Sequence, residues 1–401
     1  MSVQPDFPFA RERPMHPPRR IVDERQGQPP TRVRIWNGDH AWLLSRYDDV
    51  RAAFGDERLS SDPLSPGYPH TSTGSAVGRS MLPNFLVLDD PEHRRLRNLF
   101  LQDFMPKPLE ARRGGIQAVV DSRADALLAA PQPADLIDVY VRAIPTLVLS
   151  ATPGLEPEEA RKLFKQMDVI LRTESTHAEA TAANHLLIDF LNAWLERRLK
   201  DPGEDMVSRL GQQMQAGVIS REDILGSVRQ LFLAGQDSTT GTMGMGVLLL
   251  LQHPDQLAML RVKDDPALWR GAVDEILRFL SVTHFGRRRA ALADVEIGGQ
   301  LIRAGEGVIL AENYANRDGA TFPDPDIFDV LRPNAGKHLA FGYGIHHCLG
   351  INLARMELAT GLATLFRRVP GLRLAVPAHD LAFTDGLTIY GLETLPVAWD
   401  A

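Results

Sequence analysis

The only cysteine of the chain, Cys348, stands in the segment FGYGIHHCLG, directly after two histidines and before a stretch that favours a helix. Three interpretations of this thiol are open. Cys348 could be a small buried residue, as most free cysteines are, or a zinc ligand with His346 and His347, although zinc ligands are usually separated by two to four residues. It could also be the axial thiolate ligand of a haem iron.

The glycines around Cys348 favour the haem interpretation. Gly342 and Gly344 allow the backbone to turn sharply beside a flat macrocycle, and Gly350 leaves the start of the following helix without a side chain. A helix N-terminus carries a partial positive charge that stabilises an anion. The helix that begins after Cys348 therefore predicts a lowered pKa for the thiol.

The longest predicted helix is the second region of interest. Helical character continues from Ser220 to Gln252, a span of roughly 50 Å at 1.5 Å per residue. Its centre combines several glycines with Asp237, Ser238 and Thr239 in an otherwise apolar tract. Each glycine costs about 1 kcal/mol of helix stability relative to alanine. Either the glycines pack closely against a neighbouring element, or something flat lies against them and the polar residues serve it.

Several motifs occur together in one order. FGYGIHHCLG matches the pattern F-x-x-G-x-H-x-C-x-G, and LARMEL follows it. Upstream stand EILR, with Glu275 and Arg278, and FDVLRP, with Arg332. On these motifs the chain resembles the cytochromes P450, the haem-thiolate monooxygenases, over almost its whole length, and particularly the soluble bacterial members of the actinomycete type. The resemblance implies a buried triad of these three residues, whereas Glu275 and Arg278 alone would indicate a surface ion pair at i and i+3.

The resemblance also implies haem b as the cofactor, with Cys348 as the iron ligand. His93 and Arg97, which share a helix face in PEHRRLR, would hold one haem propionate, and Arg289 and His338 would hold the other. Taken singly, each of these residues could be a solvated charge. The other implied haem contacts are Ala234, Gly235, Phe341, Gly342 and Gly350.

The same resemblance assigns roles in the long helix. Asp237 and Ser238 would relay protons to the bound oxygen, and Ala234 with Gly235 would leave room for O2. The family usually carries an acid followed by threonine, whereas here serine follows the acid and Thr239 comes one place later. Serine keeps the hydroxyl but lacks the methyl group that restricts its rotamer. We expect proton delivery to be retained with poorer control of water, and Thr239 is a third candidate catalytic residue.

A substrate pocket is expected from three segments: a long loop at residues 59–83, the segment after EILR, and a segment near the C-terminus. The expected lining residues are Tyr68, Met81, Leu82, Phe85, Val282, Thr283, Phe285, Leu387 and Thr388. Loops of that length are either lids or disordered. Because a mostly apolar lining is typical of small-molecule pockets in general, the sequence does not name the substrate.

Composition limits the partners. The formal charge is −7 and the pI is about 6.0, with scattered basic residues, which gives no reason to bind nucleic acid or an anionic membrane. A single cysteine excludes an internal disulfide, and the N-terminus lacks the pattern of a signal peptide. No apolar run approaches the roughly 20 residues that span a bilayer. We expect a cytoplasmic monomer with no membrane or nucleic-acid partner.

The pattern of elements predicts a mainly α fold with a minor β region, in one domain over residues 1–401. A hairpin around Asn37-Gly38 begins an N-terminal lobe at about residues 25–60, and further strands are expected at about 291–313 and 372–398, with a turn at Gly298-Gly299. By resemblance, the long helix crosses the haem and the cysteine loop lies on its proximal side. The predicted helix starts are Asp90-Pro91, Ser220 and Asp265-Pro266.

The leading hypothesis is a monooxygenase that inserts one oxygen atom of O2 into an apolar small molecule, a secondary metabolite or xenobiotic, with electrons from a ferredoxin and its reductase. A non-catalytic haem carrier or gas sensor, and a peroxide-driven or NO-reducing variant of the fold, are the alternatives. A carrier or sensor with a distal protein ligand would have to use Met243 or Met245, about two turns beyond Asp237. The cations expected around a ferredoxin site are Arg94, Arg95, Arg112, Arg113, Lys337, His347 and Arg355.

Overall fold

Helices form most of the fold. The computed structural model of the protein describes residues 7–18, 29–71, 82–151, 154–171, 175–263 and 265–400, so Met81 lies outside the described residues. The α-helices are α1 (Tyr47–Phe54), α2 (Glu92–Leu101), α3 (Pro106–Leu128), α4 (Ala143–Ala151), α5 (Pro157–Leu171), α6 (His177–Lys200), α7 (Met206–Gln215), α8 (Arg221–Gln252), α9 (Pro254–Lys263), α10 (Pro266–Leu280), α11 (Glu312–Ala315) and α12 (Ile351–Arg368).

Short strands complete the fold, in three small sheets. The strands are β1 (Thr31–Arg34), β2 (His40–Leu44), β3 (Leu59–Ser60), β4 (Ala134–Asp135), β5 (Arg287–Ala291), β6 (Val295–Ile297), β7 (Gln300–Ile302), β8 (Gly307–Leu310), β9 (Arg373–Leu374) and β10 (Pro396–Ala398). A five-stranded sheet has the order β1-β2-β8-β5-β3, a three-stranded sheet has the order β4-β10-β9, and β6 pairs with β7. The predicted class, mainly α with a minor β region, is confirmed.

Both predicted turns lie where the sequence put them. Strands β1 and β2 pair antiparallel on either side of Asn37-Gly38, and Gly38 has a φ of +88°. Strands β6 and β7 pair across Gly298 and Gly299, which both have positive φ. Near the C-terminus the predicted strands are shorter than expected, because much of residues 372–398 contributes only isolated bridges such as Thr283 with Ile389.

Strand β5 is the element that the sequence did not reveal. Its residues RRRAA show no alternation of apolar and polar side chains, the pattern by which half-buried strands are recognised. In the structure β5 pairs antiparallel with both β3 and β8 inside the five-stranded sheet. Pairing on both sides satisfies its backbone hydrogen bonds, so tertiary contacts override the weak local signal.

Two of the three predicted helix starts are correct. The side chains of Ser220 and Asp265 accept hydrogen bonds from the first turns of α8 and α10. Helix α2 instead begins at Glu92, and its N-terminal cap is Pro91 rather than Asp90. The Asp90 carboxylate still accepts a hydrogen bond from the backbone N–H of Arg94, so it serves the helix from one residue further out.

The glycines of α8 serve close packing. A Cβ built on Gly241 would lie 2.7 Å from the carbonyl oxygen of Tyr390, and one on Gly244 would lie 2.6 Å from the side chain of Ile137. A Cβ on Gly226 would overlap the carbonyl oxygen of Pro83. Real side chains do not approach so closely, so these positions admit only glycine without a shift of the neighbour. Of the two interpretations of this helix, close packing accounts for these three glycines.

Buried apolar residues form one large and two smaller clusters. The large cluster extends through the helical part of the chain. The smaller clusters lie on opposite faces of the five-stranded sheet, one containing Phe54 and Leu310 and the other containing Phe285 and Ile309. Among the described helices, none is both long enough and apolar enough to cross a membrane.

Candidate active site

The cysteine loop, residues 341–350, joins the sheet region to α12. The backbone N–H of Cys348 donates to the carbonyl oxygen of Phe341, 2.9 Å away, and closes the loop. Gly344 has a φ of +73°, and a Cβ there would lie 2.6 Å from the carbonyl oxygen of Phe54. The loop therefore rests on the end of α1. On the other side, a Cβ on Gly350 would meet no heavy atom within 4 Å, which leaves open space beside Cys348.

Burial raises the pKa of the Cys348 thiol above its ordinary value. The charge of Arg287 and the backbone N–H of Gly350 act in the opposite direction, with smaller contributions from Arg97 and Arg355. The predicted lowering of the thiol pKa is therefore wrong for the protein alone, because the cost of burying a thiolate exceeds the benefit of the helix terminus. A coordinating metal deprotonates a thiol outright, so the surrounding cations stabilise the ligated form.

A group of buried nitrogen donors lies next to the loop. His93 is buried and its Nδ1 lies 3.2 Å from Asp90 Oδ1. Within the described residues its Nε2 has no hydrogen-bond partner. The His93 ring lies 4.2 Å from that of His346, and Arg97 donates a 2.6 Å hydrogen bond to the carbonyl oxygen of His347. Residues distant in sequence thus converge on one face of the loop.

Arg289 and His346 complete this group. Burial lowers the pKa of Arg289 to about 10, and the one hydrogen bond formed by its side chain among the described residues goes to the carbonyl oxygen of Arg288. Burial also lowers the pKa of His346 to about 3, helped by the charges of Arg289, His93 and Arg97, and its Nδ1 has no partner in the described part of the chain. Buried donors without an anion are costly. The group fits the two carboxylates of a haem.

His338 makes different contacts. Its Nε2 lies 3.4 Å from Asp274 Oδ1, which also accepts a 2.8 Å hydrogen bond from Arg355, and its Nδ1 accepts from the N–H of Ala340. Since its Nε2 also forms no hydrogen bond among the described residues, His338 as a propionate donor stays a prediction, and His346 is a further candidate that the sequence reasoning missed. The 3-10 turn Gly344–His346 carries the later histidine back toward α2. In the sequence, the histidine of the motif F-x-x-G-x-H-x-C-x-G, two places before the cysteine, was the signal that could have identified His346 as a candidate donor.

The middle of α8 carries the expected oxygen-side residues. Ala234 is exposed, although it lies in the middle of a helix that is mostly buried. Ser238, one turn later, is half-buried and donates a 2.7 Å hydrogen bond to the carbonyl oxygen of Ala234. Asp237 is also half-buried, whereas Thr239 is buried one step further round the helix. Gly235 packs against the side chain of Leu149. Ser238 and Asp237 therefore lie closer to the open face than Thr239.

The expected substrate-lining residues divide into two sets. Val282 and Thr283 lie next to the C-terminal segment. The backbone N–H of Tyr390 donates to the carbonyl oxygen of Val282, and the backbone N–H of His284 donates to that of Thr388. Leu387, in the same segment, is half-buried. Phe85 instead packs on Phe100 within the core. Phe285 lies on the face of the five-stranded sheet that carries Ile309, where it lines a separate cavity of about 260 Å³. Leu82 packs against the core, and the Tyr68 ring lies 5.1 Å from that of His70.

Glu275, Arg278 and Arg332 form the expected triad. Arg278 donates two hydrogen bonds to Glu275, of 2.7 and 2.8 Å, and Arg332 Nε donates one of 3.2 Å to the same carboxylate. Glu275 and Arg278 are fully buried, so the surface-pair alternative is wrong. Arg278 also donates to the carbonyl oxygen of Asn316, whose side chain accepts from the N–H of Leu339. The triad thereby ties α10 to the chain that leads into the cysteine loop.

A lone half-buried cysteine at a helix start, with open space at Gly350 and with nitrogen donors beside the loop that lack a partner among the described residues, is the arrangement expected of a haem-thiolate protein. The sequence model of the Cytochrome P450 family matches residues 266–369. Cytochrome P450-SU2 of Streptomyces griseolus is 39% identical over 96% of this chain and 94% of its own length. The Vitamin D3 dihydroxylase of the same organism is 37% identical over 98% of this chain and 97% of its own.

A solved structure gives the same result. The mycinamicin VIII C21 methyl hydroxylase MycCI of Micromonospora griseorubida, bound to mycinamicin VIII, superposes with a TM-score of 0.92 at 34% identity, over 99% of this chain and 100% of that one. The chain belongs to the cytochrome P450 family of monooxygenases, which bind haem through a cysteine thiolate. Cys348 is the one cysteine available for that bond.

Proposed function

We propose that this protein inserts one oxygen atom of O2 into an apolar small molecule, with two electrons delivered by a ferredoxin and its reductase and two protons that convert the second oxygen atom to water. The observation that supports this most directly is that His93 Nε2 and His346 Nδ1 lie next to the cysteine loop without a hydrogen-bond partner among the described residues. A bound haem supplies O2 activation there. The protein's own residues bind the cofactor, deliver protons and orient the substrate.

The group of nitrogen donors at the loop, His93, Arg97, Arg289 and His346, holds the cofactor. His93 Nε2 and His346 Nδ1 are free to hydrogen-bond carboxylate oxygens, and Arg97 and Arg289 add charge. Charge-assisted hydrogen bonds of this type are about twice as strong as neutral ones. The charges of these arginines and of the two carboxylates then neutralise one another, which offsets the cost of burying the arginine side chains without an anion.

Proton delivery belongs to the polar residues of α8. The Ser238 hydroxyl donates to the Ala234 carbonyl oxygen in the resting structure. Because serine rotates freely about χ1, its hydroxyl can leave this carbonyl and donate into the open space. Asp237 then serves as the proton reservoir at the neighbouring position. Thr239, buried beyond them, is the weaker candidate.

The substrate binds among Val282, Thr283, Leu387 and Thr388, where two distant segments meet. Two of the relatives whose names specify an activity are a Vitamin D3 dihydroxylase and a mycinamicin VIII C21 methyl hydroxylase. Both names describe hydroxylation of a large organic molecule. We propose that the present protein oxidises a secondary metabolite or xenobiotic of the same general kind.

The experiment tests whether the oxygen atom in the product comes from O2. The purified protein, a [2Fe–2S] ferredoxin and its reductase are incubated with labelled O2 and a compound that shifts the iron to high spin. We expect one labelled oxygen atom per product molecule. Label supplied by water, or product formed with peroxide but not with ferredoxin, would contradict the proposal.

The structure disfavours the carrier and sensor alternatives. Met243 and Met245 are fully buried, and the thioether of Met243 packs against Gly361 on α12. Neither lies on the exposed turn at Ala234. Of the two methionines that the sequence offered as distal ligands, neither is placed to bind the iron.

A further inference from the structure

The N-terminal segment, residues 7–18, carries an arginine that lies between two distant segments of the chain. Arg11 Nε donates a 3.3 Å hydrogen bond to Nδ1 of His284, and its Nη2 donates one of 3.3 Å to the carbonyl oxygen of Ser281. The centre of the guanidinium lies 4.1 Å from the centroid of the Tyr390 ring, within the range of a cation–π interaction. Arg11 therefore joins the segment that follows α10 to the segment near the C-terminus.

These two segments pair with each other over a short distance. The backbone N–H of Tyr390 donates a 2.8 Å hydrogen bond to the carbonyl oxygen of Val282, and that of His284 donates one of 3.0 Å to the carbonyl oxygen of Thr388. Thr283, between them, forms an isolated bridge outside the strands of the three sheets. Because so short a pairing is marginally stable by itself, its geometry depends on further contacts such as those of Arg11.

The turn at Ser281 needs the same support. Ser281 follows α10 with a φ of +42°, a left-handed conformation that is strained for a residue with a Cβ and persists only where its surroundings fix it. Asn316 donates a 2.8 Å hydrogen bond to Ser281 Oγ, which donates one of 3.0 Å to the carbonyl oxygen of Arg278. Arg11 binds the Ser281 carbonyl oxygen, on the peptide that leads to the next residue. Arg11 therefore helps to set the direction in which the chain leaves α10.

The ionisation states of the two partners suit this contact. Burial lowers the pKa of His284 to about 3, helped by the charge of Arg11, so the ring is neutral at neutral pH and its Nδ1 can accept a hydrogen bond. Burial also lowers the pKa of Arg11 to about 10, which still leaves the guanidinium protonated at neutral pH. Hydrogen bonds from a charged donor are about twice as strong as those from a neutral one.

We propose that Arg11 is a positioning residue for the substrate pocket, which holds residues 281–284 and 388–390 in the pairing that forms one wall of the pocket. This inference rests on the proposed function, which assigns substrate contacts to these two segments. The partners of Arg11 are a carbonyl oxygen and two rings of the protein itself, so it acts on the substrate through them. The N-terminal segment thereby helps to set how tightly an apolar molecule is held.

The test compares two ligands of the ferric haem, imidazole and 1-dodecylimidazole, in the full-length, haem-loaded protein. Both bind the iron through an imidazole nitrogen and shift its spectrum, whereas the dodecyl chain adds contacts with the pocket. The ratio of the two dissociation constants therefore measures the pocket separately from the iron bond. We expect Arg11→Met to weaken 1-dodecylimidazole about fivefold or more, the equivalent of about one hydrogen bond, and to leave imidazole affinity within about twofold.

Arg13→Met is the matched control, since it removes the same charge from an exposed position of the same segment and should keep the ratio. Arg11→Lys keeps the charge without the planar fork, so it should retain part of the affinity for 1-dodecylimidazole. His284→Phe keeps an aromatic ring and removes the acceptor of Arg11 Nε, so it should shift the ratio in the same direction by less. Its ratio decides the question if Arg11→Met does not bind haem.

A ratio that is unchanged in Arg11→Met would overturn the inference, and equal weakening of both ligands would in addition assign Arg11 to the stability of the haem site as a whole. An equal shift in Arg13→Met would also overturn it, because the effect would then be one of net charge. If 1-dodecylimidazole binds the unaltered protein no more tightly than imidazole, no apolar pocket lies over the iron and the proposed function itself fails.

Discussion

Ser238 and Thr239 are neighbours with the same functional group in different surroundings. The Ser238 hydroxyl lies on the open turn of α8 and is bonded to a carbonyl oxygen, whereas Thr239 is buried one step round the helix. Replacing each residue by alanine in turn can therefore distinguish the role of one hydroxyl from that of the other. Cys348 offers an equally direct test, because no other thiol in the chain can replace it.

Replacement of Ser238 by alanine should uncouple electron consumption from product formation. We expect product formation to fall by about tenfold, less than the 10²–10⁴ typical of a sole proton donor, because Asp237 remains. Peroxide should rise correspondingly, since electrons that do not form product would reduce O2 to H2O2 with two protons from solvent. The measurement is peroxide and product formed per NADPH consumed. Thr239→Ala should leave the ratio unchanged, and equal uncoupling in both variants would remove Ser238 from this role.

Replacement of Cys348 by serine should abolish the long-wavelength absorption band of the reduced, CO-bound protein. That band requires a thiolate opposite CO, and a serine hydroxyl does not supply one. Haem content, measured separately as the pyridine complex, shows whether the cofactor is still present. A Cys348→Ser protein that kept the band would refute the assignment of the iron ligand.

Two elements fix the geometry of the site. Helix α8 approaches its neighbours closely through its glycines, and the triad on α10 anchors the chain that leads into the cysteine loop. Both are interactions in the interior, where a single added atom or a lost charge has a large effect. The spacing between the loop and α8 therefore depends on packing far from the sulfur.

Replacement of Gly241 by alanine should destabilise the protein by about 1–3 kcal/mol, the usual cost of forcing a methyl group into a packed interior. The new Cβ would lie 2.7 Å from the Tyr390 carbonyl oxygen, which is backbone and cannot rotate away. The measurement is thermal or urea unfolding of the haem-loaded protein. The control is Gly115→Ala in α3, where no atom lies within 4 Å and stability should rise by roughly 0.5–1 kcal/mol. A neutral Gly241→Ala would contradict the packing argument.

The whole molecule is negative by seven charges, so attraction of an acidic ferredoxin depends on a local field. The structure shows that this field is weaker than the count of arginines suggests. Arg94 pairs with Asp90, Arg113 with Glu110, and Arg95 with Glu92 and Asp223. Lys337, His347 and Arg355 flank the cysteine loop itself, although Arg355 pairs with Asp274. We propose that the ferredoxin docks over this loop.

Reduction of the iron by a ferredoxin should slow as ionic strength rises, because surface charges are screened within about 8 Å at physiological salt. Arg94→Glu combined with Arg113→Glu should slow it several-fold at low salt and leave substrate affinity unchanged. The measurement is the stopped-flow rate of the first electron. Arg373→Glu is the control, because Arg373 comes after the end of α12 that is remote from the loop, and this helix of 18 residues is about 27 Å long. A rate indifferent to salt and to the double reversal would place the partner elsewhere.

The sequence by itself determined whatever depends on local spacing. The cysteine motif, the hairpin turns and the extent of α8 are readable from neighbouring positions, because turn chemistry and helical periodicity are properties of short segments. The triad came from the family resemblance, since the spacing of Glu275 and Arg278 alone indicated a surface ion pair.

Only the tertiary structure decided what depends on burial and on contacts between distant segments. It placed His346 beside His93 and Arg289, made β5 a central strand, and showed that burial outweighs the helix terminus in setting the pKa of Cys348. It also brought Arg287 to 3.3 Å from the buried carboxylate of Glu312, 25 positions further along the chain. A side chain's solvent exposure and its partners are fixed by the packed chain as a whole, so no local pattern carries them.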